Sequence, residues 1–132
     1  MRYLGVDYGR ARIGIAVSDP EGKIAFPRQV IAYRSMRQVI AAFKDSVAAE
    51  GIEEIVAGLP VGLDGQDTEE TAAVRVFAEA LAAALGLPVH LENEMFTTRM
   101  AEAAGGKGKM SDASAAAIIL QSYLDKKIES RK

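Results

Sequence analysis

Three acidic residues stand where hard-oxygen chemistry could be done. Asp7 sits in VDYGRARIG, residues 6–14, at the point where one apolar run ends and another begins; Glu94 lies just beyond the stretch LPVHLE; Asp112 opens SDASAAAIILQSYLD. Carboxylates gathered with open coordination positions suit Mg²⁺ or Mn²⁺. Two such ions about 4 Å apart can activate water and stabilise the leaving oxygen in phosphodiester cleavage. The sequence contains no cysteine, which excludes disulfides, thiolate metal sites and cysteine nucleophiles, and the single His90 cannot build a polyhistidine zinc site. Within its strand-like stretch His90 reads as a structural or surface residue rather than a base.

These acids act together only if the elements bring them together. Residues 2–8 read as a strand, and 11–18 as a second in which Ile13, Ile15 and Val17 alternate with Gly14, Ala16 and Ser18, a small face that invites close packing. A turn over 19–22 leads to a third strand, about 23–32, where Pro27 implies an edge or a bulge. From Ser35 the period changes: Val39, Ile40, Phe43 and Val47 predict a helix ending near Gly51. IEEIVAGLP predicts a fourth strand, closed by Gly58 and Pro60. Asp67 and Glu70, three apart, form a capping-box-like start to an Ala-rich helix that Gly86 ends, and LPVHLE predicts the fifth strand. A short helix over about 96–104, the loop 105–109, and a last helix over 112–127 behind Ser111 complete the order βββαβαβαα. The expected architecture is an α/β mixed five-stranded sheet flanked by helices, a meander joined to parallel crossovers. Strand C-termini of such sheets share one rim, where Asp7, Glu94 and Asp112 could converge.

With 132 residues, 49% hydrophobic and 26% charged, the chain fits one globular domain spanning 1–132, with no repeat and no linker. It shows neither a signal-type segment nor a long uncharged apolar run, so a cytoplasmic protein without membrane contact is expected. The net charge of −2 hides an uneven distribution. Residues 1–44 hold 8 basic and 3 acidic residues, 45–106 hold 2 and 12, and 107–132 hold 6 and 3. If the basic ends met in space they would form a modest basic face, a weak pointer to nucleic acid.

Several neighbours suit phosphate. Arg10 and Arg12 follow closely on Asp7, and strand alternation would face them the same way; Gly58 and Pro60 at the sheet rim would let a phosphate backbone approach closely; Thr97, Thr98 and the glycine-framed Lys107 and Lys109 could contact a polyanion. Plainer roles remain open for each. Asp7 could cap a turn, Asp112 suits the positive end of a helix by about 0.3–1 kcal/mol, Thr97 and Thr98 could cap a helix, and the lysine loop could be a connector.

VDYGRARIGIAVSD, VAGLPVGLDG, ENEMFTT and SDASAAAIILQSYLD resemble, in order and spacing, the motifs of the YqgF/RuvX family, over nearly the whole chain. The resemblance implies a ribonuclease-H-like fold. It places the family's metal-binding aspartate on Asp7, the glutamate of its Asp-Glu-Arg motif on Glu94, and the aspartate opening its last helix on Asp112. The family is described as a Holliday junction resolvase by analogy with RuvC, and as the nuclease maturing the 5′ end of 16S ribosomal RNA. One departure stands out: where the family has Asp-Glu-Arg, this chain has Asn93-Glu94-Met95, losing a carboxylate and a cation. Glu92 is a candidate replacement acid, although strand alternation points it away from the side of Asn93.

The expected function is therefore a Mg²⁺- or Mn²⁺-dependent endonuclease on structured nucleic acid. Precursor 16S rRNA, within a ribosomal assembly intermediate, stands ahead of branched DNA on the family's description alone, and junction cleavage would call for a symmetric homodimer. Asn93 and Met95 favour a second class, a non-catalytic nucleic-acid or ribosome-binding module indifferent to metal. A third, nucleotide binding through Asp-x-Gly-x-x-x-x-Gly as in the actin and sugar-kinase superfamily, ranks last because that site needs two such domains.

Overall fold

The computed structural model describes residues 1–62, 64–93 and 112–130. Five strands, β1 (Arg2–Tyr8), β2 (Arg12–Ser18), β3 (Ala25–Ala32), β4 (Ile52–Leu59) and β5 (Val89–Asn93), form one sheet in the order β3-β2-β1-β4-β5. The β1-β2-β3 meander is antiparallel, whereas β4 and β5 join in parallel. Three described helices, α1 (Met36–Glu50), α2 (Glu69–Leu85) and α3 (Asp112–Ser130), cover the sheet. β3 starts at Ala25 and is an edge strand whose register shifts beside Pro27, so the imino acid marks both an edge and a bulge.

Strand alternation divides the apolar residues between two faces. Leu4, Val6, Ile13, Ile15, Val17, Ile55 and Ala57 pack with Val39 and Phe43 of α1 and Phe77 and Leu81 of α2. Tyr3, Ala16 and Val56 pack on the opposite side with Ala116, Ile119, Leu120 and Leu124 of α3. The small face of β2 is where α3 comes close. A methyl group on Gly5 would meet Leu120 Cβ at 2.7 Å, one on Gly14 would overlap the Asp112 carbonyl, and Ser18 is buried where its hydroxyl oxygen accepts from the Tyr3 N–H.

The helix ends follow local chemistry. Ser35 caps α1 by accepting from the Gln38 N–H, and Gly51 and Gly86 end α1 and α2 in the left-handed conformation. The cap of α2 is not the expected Asp67 and Glu70: Thr68 accepts from the Thr71 N–H while the Thr71 hydroxyl oxygen accepts from the Thr68 N–H. The box sits one residue later because a threonine pair serves both halves, leaving Glu69 and Glu70 in the first turn beside the helix's positive end. α3 runs on to Ser130, three residues past the expected end. The expected helix over 96–104, the loop 105–109 and Ser111 lie outside the described residues.

Candidate active site at the sheet rim

β1, β3, β4 and β5 run parallel to one another across the sheet, so their C-terminal ends open on one rim, and α1 and α2 start there. Asp7, the penultimate residue of β1, pairs directly with Gly14 of β2. Residues opposite each other in an antiparallel pair project to the same face, so Asp7 shares the face over which the Asp112 backbone lies against Gly14. Gly14 is thus the spacer that lets the first turn of α3 descend beside Asp7. Asp7 and Asp112 are brought to one corner of the rim; Glu94, the third expected ligand, lies outside the described residues, as do Thr97, Thr98, Lys107 and Lys109.

Arg10 and Arg12 diverge. Arg12 begins β2 and its Nε lies 3.2 Å from Oδ2 of Asp112, on the α3 side. Arg10 belongs to the bend between β1 and β2, where strand alternation no longer applies, and it lines a cleft on the α2 side. That cleft, of about 230 Å³, is bounded by Asp7, Tyr8, Arg10, Pro60, Glu70 and Val74. The Pro60 carbonyl accepts from the Thr71 hydroxyl, which fixes the end of β4 against the start of α2. Gly58 is buried in β4 opposite Glu92, as suits the plainer of its two readings, a strand end.

Tyr8 forms one wall of the cleft, 4.5 Å from the Phe77 ring by centroids and edge-on to Tyr33. Burial raises its pKa above the ordinary phenol value and Tyr33 adds to this, while the Arg10 cation opposes them. The phenol stays protonated at neutral pH.

Glu70 was not recognisable as a cleft residue from sequence. The Thr-x-x-Thr spacing, which assigns the cap to Thr68 and Thr71, was the available signal. Glu92 does not serve as a replacement acid: only 5% exposed, it accepts from the Ser122 hydroxyl and from Lys126 Nζ, each at 2.7 Å, and anchors α3 to β5. His90 pairs with Glu54 and stacks on Tyr123 at 5.1 Å between centroids, a structural role. Among the described residues no three acidic or histidine side chains converge as a metal cage. The two described acids at the corner nevertheless have the donor chemistry that Mg²⁺ or Mn²⁺ takes, and the described part of the site fits such an ion.

A mixed sheet of this order, with an acid ending its first strand and another opening its last helix, defines a ribonuclease-H-like α/β protein. RuvC of T. thermophilus in complex with a Holliday junction substrate shares that fold, with a TM-score of 0.63 at 16% identity over 97% of this chain and 96% of that one. The family model RuvX, described as Holliday junction resolvase, matches residues 1–126, and the chain belongs to that family. A protein of Anaplasma marginale (strain St. Maries) named "Putative pre-16S rRNA nuclease" is 42% identical, covering 94% of this chain and 84% of its own. One of Moorella thermoacetica (strain ATCC 39073 / JCM 9320) with the same name is 40% identical, covering 96% of each.

Proposed function

We propose that this protein is a divalent-metal-dependent endonuclease that hydrolyses phosphodiester bonds in structured RNA, with the 5′ end of precursor 16S rRNA as its substrate. The observation that carries the reading is the corner at Gly14, where Asp7 and the start of α3 meet beside a cleft in a chain of the RuvX family. The names of the relatives supply the RNA substrate. Asp7, Asp112 and Glu94 are the residues that would hold Mg²⁺ or Mn²⁺. A bound ion supplies Lewis-acid stabilisation of the charge that develops at phosphorus and makes water acidic enough to attack.

The chain's own residues then have separable tasks. Asp7 and Asp112 concentrate negative charge at the corner. Arg10, at the cleft mouth, binds and orients a phosphate, and Arg12 restrains Asp112 through the 3.2 Å pair. The Tyr8, Pro60 and Val74 walls limit water on the α2 side. The family's description keeps a junction-cleaving activity as the second reading, for which two copies related by a twofold axis would cut opposed strands.

Cleavage of a 16S precursor 5′-leader RNA beside a synthetic four-way DNA junction, with Mn²⁺, Mg²⁺ or chelator, tests both. Wild type is expected to cut the RNA only with metal, and Asp7→Asn to lose cutting while keeping its circular dichroism spectrum. Junction cutting alone would transfer the activity to DNA. Metal-independent binding without cutting of either would make the protein a binding module, with Asn93 and Met95 as the residues that mark the change.

A further inference from the structure

We propose that Arg34 and Arg37, at the connection from β3 into α1, form with Arg10 a cationic track that binds the phosphate backbone of the nucleic acid as it leaves the cleft. This rests on the nuclease reading and extends it to a surface outside the metal corner.

β1 and β3 point the same way through β2, so the β1–β2 turn and the β3–α1 connection emerge together. They are fastened to each other: the Tyr33 N–H donates to the Ala11 carbonyl at 2.9 Å, and the Tyr8 and Tyr33 rings meet edge to face at 5.9 Å. Arg10 and Arg34 therefore sit on two tied segments, and Arg37 follows in the first turn of α1, the helix that packs beside α2 through Phe43 and Phe77.

Two features bear on these arginines, the first of which the exposed Lys44 of α1 shares. Arg12, Lys23, Arg28, Arg75 and Lys126 each have a carboxylate within 4 Å, whereas among the described residues none lies that close to Arg10, Arg34 or Arg37, all exposed. The position of Arg37 also opposes local stability. It is the second residue of α1, at the positive end of the helix dipole, with no acidic residue in that turn to offset it. α2 shows the ordinary solution on the same rim, with Glu69 and Glu70 in its first turn. Uncompensated cations at a helix start are favourable only when an anion joins them, and a polyanionic backbone fits because the charges are spread over two segments.

The contrast between the helices also gives the track a direction. Arg10 lies between Glu69 and Glu70 of α2 on one side and the β3–α1 connection on the other. Phosphates are repelled from the α2 lip and drawn toward α1. The strand accordingly leaves the cleft across α1.

The test is binding of a fluorescently labelled RNA hairpin with single-stranded flanks, in chelator so that nothing is cut, from 50 to 200 mM KCl. Arg34→Ala/Arg37→Ala is compared with wild type and with Arg2→Ala/Lys23→Ala, which removes equal charge at the opposite rim, where β1 and β3 begin. Loss of two phosphate contacts should lower the slope of log affinity against log salt by about 1.4 to 1.8. The control should keep the wild-type slope. The rim variant should melt at or above the wild-type temperature, because it removes a cation from the wrong end of α1; weaker binding without lost stability is the signature. A wild-type slope in the rim variant, or an equal fall in the control, would overturn the track. Failure of wild type to bind RNA at all would instead overturn the nucleic-acid reading beneath it.

Discussion

Replacing Gly14 by alanine would drive a methyl group into the Asp112 carbonyl, and neither β2 nor the start of α3 can yield without moving a site residue. Overpacking of this kind costs about 1–3 kcal/mol. Gly14→Ala is therefore expected to lower the urea midpoint and to abolish cleavage although no acid is removed. Arg12→Ala should behave differently. Its partner Asp112 keeps a third of its side chain in water and Arg12 far more, so the pair adds at most about 1 kcal/mol of stability. Removing the cation leaves the carboxylate free for metal, and Mn²⁺ should bind more tightly by calorimetric titration; weaker Mn²⁺ binding would mean that Arg12 orients Asp112 for the ion. Asp7 and Asp112 were legible because strand ends and helix starts can be read from apolar periodicity. The parting of Arg10 from Arg12 was not, since it depends on the bend at residues 10 and 11, which period-two reasoning passes straight through.

The elements themselves were largely readable. The change from alternation to three-and-four spacing after Ala32 marked α1, and the glycines that end α1 and α2 take the left-handed conformation that stops a helix. The start of α2 was misread by one residue because Asp67 and Glu70 match the common capping pattern while Thr68 and Thr71 match a less common one. Thr68→Ala should cost about 1 kcal/mol, and Asp67→Ala well under half of that, in thermal or urea unfolding. Equal losses would return the cap to Asp67. For Gly58 the sequence offers a plain strand end and a close approach for phosphate alike, and burial in β4, set by tertiary packing, is what distance along the chain does not reveal.

Across the whole molecule, the sequence's division of charge has a spatial counterpart, though not the expected one. The basic N-terminal portion supplies the rim through Arg10, Arg34 and Arg37. Of the other basic portion, Lys127 lies toward the far end of the sheet, bonded to the Tyr3 hydroxyl, and Lys126 is bonded to the buried Glu92 of β5. The two portions do not merge into one face among the described residues, because α3 runs back from the rim and its lysines are engaged with Glu92 and Tyr3. Sequence distance concealed this: the direction of α3 is set by its contacts with β1 and β2, more than ninety positions earlier.

α3 also fixes when the enzyme can exist. It covers an entire face of the sheet and brings Asp112 to the corner, yet it is the last described segment of the chain to be synthesised. While residues 1–93 emerge, the meander and crossovers can pair, but Ala16 and Val56 stay bare and the corner holds one of its two described acids. On the proposed reading a nascent or truncated chain is unarmed, because the packing that buries its second face also brings Asp112 to the corner.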